Sequence, residues 1–228
     1  MTPARLGRLL GAAPVPRGSW AAEALLVSAA ALGSPGGALA AAEEIATRLR
    51  EDDGIAEVRV RPDGFLLIVP ARPGEIVREI VERGPERAGA PGSPRVPAAA
   101  WPDFPRTWAN PGFAVRFAHT RSVSAERWAA DLGVPMGGFR PETLDHPAEL
   151  GVLRLLAELP SRSAGRDPAW AAYVERLALA YHTAHEHAPA APAGDGPPTA
   201  LHTARVWLAR AVRAVLVAIV GDGLPQRM

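Results

Sequence analysis

The sequence predicts an α+β chain: a small αβ region with an antiparallel sheet over residues 1–84, then an all-α bundle over residues 110–228, joined by a Pro-rich stretch at 85–109. Three observations carry this. Valines alternate with arginines at 58–61 and an apolar run at 65–69 follows a Pro-Asp-Gly turn, which is a hairpin signal. Prolines 91, 94, 97, 102 and 105 then interrupt any regular pattern. After Asn110 the apolar residues recur at helical spacing to the end of the chain.

Taken in order, residues 19–31 and 39–50 read as helices separated by Gly33-Ser34-Pro35-Gly36-Gly37, with Ile45 and Leu49 on one face of the second. The hairpin of Val58, Val60 and Phe65–Val69 comes next. Pro73 suits the first turn of the next helix, whose apolar face is Ile76, Val77 and Ile80 and whose end is Gly84. In the Pro-rich stretch Trp101, Phe104 and Trp108 predict docking on a neighbour, because a free linker rarely carries so much aromatic surface.

Asn110 is a helix cap with Pro111 at the first helical position, and Phe113, Phe117, Ser124, Trp128 and Leu132 fall on one side of a helix ending near Gly133. Leu150, Leu153, Leu156 and Ala157 mark another helix, stopped at Pro160. Trp170, Val174, Leu177 and Tyr181 mark a third. The last, 200–220, places Leu208, Val212, Val215 and Ile219 on its apolar face, with Arg205, Arg210 and Arg213 in one polar arc.

Composition narrows the function classes. The chain has 228 residues, 48% of them hydrophobic, which suits a globular fold with one generous core or two modest ones, and the Pro/Gly-rich interruption favours two. It has no Cys, so disulfides, thiolate zinc sites and Cys nucleophiles are excluded. It has no membrane-length apolar run and no secretory leader pattern, which predicts a cytoplasmic protein. Every basic side chain other than His is Arg, in keeping with a chain rich in Ala, Gly and Pro as well. Residues 1–109 hold 13 Arg against 13 acids, and residues 110–228 hold 12 against 11. Neither half has the basic excess usual in nucleic-acid binders, so any RNA affinity must come from a local stripe.

Several stretches occur in the order of the arginyl-tRNA synthetase family. Residues 42–84 resemble its additional N-terminal domain. Gly18-Ser19-Trp20-Ala21-Ala22-Glu23 stands where the family has a Gly-Asp-Tyr-Ala-Thr-Asn-like segment, and Gly64-Phe65-Leu66-Leu67-Ile68 where it has Gly-Phe-Leu-Asn-Phe. The run from Asn110 to Arg121, with Phe113, Phe117 and His119, is similar to the opening of its DALR-type anticodon-binding domain. Residues 144–160, the pair Tyr181-His182 and the ending 204–228 resemble later parts of that domain. The resemblance implies an N-terminal domain fused to an anticodon-binding domain with the catalytic domain missing. In the family the Asn of the second motif is associated with a D-loop base; Leu67 has no hydrogen-bonding atom to take that role.

The catalytic signatures of a class I synthetase, a His-Ile-Gly-His-like turn and a Lys-Met-Ser-Lys-Ser-like loop, do not occur, and a chain without Lys cannot supply the second. No Walker-type loop occurs either. The expectation is a non-catalytic, cofactor-free protein that binds tRNA, of arginine identity by the resemblance, at the anticodon arm. Its contacts would be Arg205, Arg210 and Arg213 for phosphates, with Trp207, Tyr181 and Trp170 for stacking. The rival is an interaction or regulatory module that kept the fold and lost RNA, with a protein partner such as a synthetase. Arg121, amid an apolar face, calls for a structural ion pair. His182, His185, Glu186, His187 and His202 invite a zinc reading, but as a polar helix end they call for no metal.

Overall fold

The structure is a computed structural model describing residues 1–228 apart from 103, 193 and 195. It is α+β, with a four-stranded antiparallel sheet in the first half and helices after it.

Helix α1 (Pro3–Leu10) is capped by Thr2, whose Oγ1 accepts from the Arg5 amide, and closed by left-handed Gly11. Residues 19–31 are not helical, contrary to the sequence expectation. They turn through Trp20 into strand β2 (Leu25–Ser28), which pairs with β1 (Val15–Arg17). Trp20 holds a positive φ of 63° and is buried, donating from Nε1 to the Leu25 carbonyl at 3.2 Å. Tertiary burial of that ring overrides the helix propensity of its alanine neighbours. Helix α2 (Ala38–Arg50) covers the sheet, and β3 (Ile55–Val60) and β4 (Leu66–Pro70) form the expected hairpin.

The strand order is β1-β2-β4-β3, so the two hairpin strands and the two earlier strands share one ladder. Registered across it, Pro16, Leu26, Ile68 and Val58 form one buried row. Ala42, Ala46 and Leu49 of α2 join the same core. Gly64 is required at the turn: its φ is 84°, and a Cβ there would stand 2.6 Å from that of Ala38.

Helix α3 (Glu75–Arg83) buries Ile76, Val77 and Ile80 as expected and ends at Gly84. It packs against α8 (Ala200–Val220), so it belongs to the sheet region by sequence and to the bundle by contact. The Pro-rich stretch lies on the bundle. Gly89, with φ 100°, places its backbone where a Cβ would meet the Cα of Pro160 at 2.5 Å, and the amides of Arg95 and Val96 both donate to the Ile219 carbonyl.

Helix α4 (Pro111–Asp131) starts at the Asn110 cap as predicted, but its core face is not the aromatic one. Ala114, Ala118, Ser122, Ala125 and Ala129 are buried, while Trp128 and Leu132 are exposed. Small residues let α4 lie close to α7 (Trp170–His187) and α8, a geometry that bulky side chains would prevent. Helix α5 (Pro147–Ala157) is followed, across Glu158, by the short α6 (Leu159–Ser163). Pro160 therefore sits in a new first turn rather than in a loop. Leu208, Val212, Val215 and Ile219 of α8 are fully or almost fully buried. Among the described residues no helix is long and apolar enough to cross a membrane.

Candidate nucleic-acid interface

The three arginines of α8 have separate fates. Arg205 turns toward the start of α5, where its Nε donates to Glu149 at 2.6 Å and a terminal nitrogen donates to the Pro189 carbonyl at 3.1 Å. Glu149 is fully buried and also accepts from the His146 amide, closing a capping box at α5. Arg205 is thus the counterion of a buried carboxylate. Arg210 and Arg213 instead flank Glu126 of α4, at 2.6 and 2.9 Å on its two oxygens. Both remain partly open to solvent along a groove of about 560 Å³, whose other wall includes Ile80, Val81 and Glu86.

The aromatic residues expected to stack on bases are mostly engaged internally. Trp207 lies 4.8 Å from the Phe139 ring, nearly parallel to it, and donates from Nε1 to the Met136 carbonyl. Arg78 of α3 covers the Phe139 ring and donates to the Phe139 carbonyl, so the stack ties α3 to α8. Trp170 and Tyr181 are buried, and burial raises the Tyr181 hydroxyl above its ordinary pKa. Trp170 meets Tyr173 edge-on at 5.7 Å. Of the six residues singled out for RNA, the fold brings together only Arg210 and Arg213 at an accessible surface.

The motif positions of α4 have a clear structural task. Asn110 accepts from the Gly112 amide and donates from Nδ2 to the carbonyls of Pro102 and Pro105, holding the Pro-rich stretch to the helix start. Arg116 donates to the carbonyls of Ala98 and Trp101. Trp108 then folds back onto α4, with ring centroids 5.2 Å from Phe113 and 5.1 Å from Phe117, and stacks on His182 of α7 at 4.0 Å. Arg121 lies over Phe117 at 4.9 Å, so among the described residues a ring face takes the place of the expected ion pair. His119 meets the Pro225 carbonyl at 2.9 Å, to which Thr120 also donates, and burial lowers its pKa from the usual imidazole value. Both ends of the motif therefore seat other parts of the chain.

Trp108 is 41% exposed at this surface, and Phe104, 68% exposed with Arg106 over its ring, precedes it on the same stretch. The aromatic content of the Pro-rich stretch predicts docking, which Trp108 makes on Phe113, Phe117 and His182, but does not predict its remaining exposure. A second feature, Glu158 ringed by Arg154, Arg162 and Arg176, escaped sequence reasoning although Arg154, Glu158 and Arg162 stand at four-residue intervals. The histidines have other occupations. His182 stacks on Trp108, His187 meets the Thr183 carbonyl, and His202 caps α8 with Thr199. His185 is half-buried, which lowers its pKa, with Arg121 adding to the effect. Among the described residues no group of three His, Asp or Glu is disposed to hold a metal ion.

Comparison with known proteins gives a relationship. An arginine–tRNA ligase of Clavibacter sepedonicus is 42% identical over 131 residues, a match that covers 54% of this chain and 24% of the ligase. The chain is thus related to arginine–tRNA ligases and spans about a quarter of that relative's length. No family profile matches the chain. No solved structure matches it either.

Proposed function

We propose that this is a non-catalytic relative of arginine–tRNA ligases that binds tRNA at the anticodon arm through its helical region. The observation that carries the reading is the 42% identity over 131 residues to a ligase that is itself named for tRNA. The chain has no Lys and neither adenylation motif, so purified protein is expected to give no arginine-dependent ATP–pyrophosphate exchange. Contact falls to the Arg210–Arg213 pair for phosphates and to the exposed part of Trp108 for a base. With two guanidinium groups engaged, the affinity should fall with salt at a log–log slope of roughly −1.4, at about −0.7 per phosphate on a single-stranded loop.

Fluorescence anisotropy with a tRNA of arginine identity tests this. Arg210→Ala with Arg213→Ala should weaken binding and flatten the salt slope. Unchanged binding in that variant removes the surface, and no binding by the parent at low salt removes RNA altogether. The second outcome would favour a protein-interaction module in the cytoplasm, with a synthetase as the first partner to try. One observation supports that rival: Arg205, Tyr181 and Trp170 are committed to the interior, while Trp128 of α4 and Leu132 just after it are 39% and 50% exposed.

A further inference from the structure

At the joint between the sheet and the bundle, strand β1 faces the α5–α6 corner and the first turns of α7 across a cleft of about 370 Å³. Four arginines line it, Arg17, Arg154, Arg162 and Arg176, against two carboxylates, Glu158 and Asp167. Glu158 stands at the centre: Arg154 lies 2.8 Å from one oxygen, and Arg162 and Arg176 lie 2.6 and 2.8 Å from the other. Burial works against its charged form, but Arg162 and Arg176 hold its carboxyl below the ordinary carboxylate range, so it is ionised at neutral pH.

One carboxylate does not satisfy this many donors. Arg154 spends its Nε on the Gly18 carbonyl and Arg162 one terminal nitrogen on the Pro168 carbonyl. The Nε of Arg162 is buried without an acceptor among the described residues, and Arg17 makes no ion pair among them. Asp167 accepts from the Ala169 amide at the entry to α7. The cleft therefore carries two positive charges in excess, on planar groups suited to oxyanions.

We propose that this cleft binds a phosphate group, with Arg17 and Arg176 on its rim and Arg154 and Arg162 deeper beside Glu158. The phosphate belongs either to an RNA backbone or to a free phosphate compound. The first source rests on the tRNA binding proposed above, and the second does not. Glu158 tempers the site: it preserves the arginine cluster without an anion present and weakens any anion that enters.

Arginine Nε–H correlations of the full-length protein, titrated at low salt with inorganic phosphate, with pyrophosphate and with a tRNA transcript, test this directly. Signals of Arg17, Arg154, Arg162 and Arg176 should move together while those of other arginines stay. Arg17→Ala, on an exposed strand position, should weaken phosphate binding roughly threefold, and adding Arg176→Ala should take the loss to roughly tenfold or more. Glu158→Gln should strengthen it, an effect that a purely structural role would not produce. A response of the four signals to phosphate with unchanged tRNA affinity in Arg17→Ala/Arg176→Ala assigns a free phosphate compound. Loss of tRNA affinity in that variant, with Arg210 and Arg213 intact, assigns the RNA backbone. If none of the three probes moves these signals, or if all arginines respond alike, the cleft is not a phosphate site.

Discussion

The sheet region and the helical bundle handle charge differently, with Glu79 of α3, buried beside Arg8, on the bundle's side of the comparison. In the first, ion pairs such as Arg61–Asp63 and Arg5–Asp52 sit at the surface, with both partners partly solvated. In the second, carboxylates lie within the packing: Glu149 is fully buried against Arg205, and Glu158 is buried among three arginines. Near-equal formal charge in the two halves therefore conceals unequal consequences. A surface pair trades one solvated state for another, whereas a buried carboxylate has lost its water and depends on the partner that remains.

The sharpest way to break the comparison is to remove one arginine from each kind of pair. Arg205→Ala leaves Glu149 buried and uncompensated, and should cost about 3–5 kcal/mol in urea denaturation. A loss near zero would mean that Glu149 finds water or a proton readily. At the junction between the regions, Gly89→Ala adds a left-handed strain to a collision with the Pro160 backbone. It should cost roughly 2–4 kcal/mol and shift the melting of both regions together. Separate transitions would show that they unfold independently.

A milder contrast comes from pH, because all six His lie in residues 110–228. Burial lowers the pKa of His119 and His185 below the unfolded value of 6.5. As pH falls through 6.5 the unfolded chain takes up protons that the folded chain refuses, so stability present above 6.5 is lost progressively below it. Hydrogen exchange at pH 5.5 against 7.5 should show amides of α4 and α7 opening more readily, while the sheet changes less. The smallest effect belongs to Arg61→Ala in the hairpin, expected to change stability by less than about 0.5 kcal/mol.

Much of this fold can be read from local pattern. The hairpin at 55–70, α2, α3 and α8 follow from alternation, turn residues and apolar spacing that lie within a few residues of one another. Two misreadings share a cause. Residues 19–31 look helical because alanines dominate them, but pairing of β2 with both β1 and β4 decides their structure. The aromatic face of α4 looks like the core because large apolar residues usually are, but close helix contact favours the alanines. Helix α1, with only Thr2 and Pro3 to announce it, escapes local pattern altogether.

The surface was less legible because its chemistry depends on distant partners. Nothing near Arg205 in the sequence announces Glu149, 56 positions away, nor does anything near Arg210 announce Glu126, 84 positions away. The engagement of Trp207 by Phe139 is hidden for the same reason. Spacing along α8 reports the direction of each side chain, not what waits there.

The Pro-rich stretch is pinned to the bundle at several points rather than hanging as a tether. Its peptide carbonyls are held by Asn110 and Arg116 at one end, and two of its amides share the Ile219 carbonyl at the other. A slack connection sets only the maximum separation of the parts it joins, whereas here the packing of α3 on α8 sets the separation and the stretch is pinned along the surface between them. Inserting Gly-Ser residues next to Gly92 would therefore add a surface bulge without adding reach, and the basic cleft at the joint would keep its width.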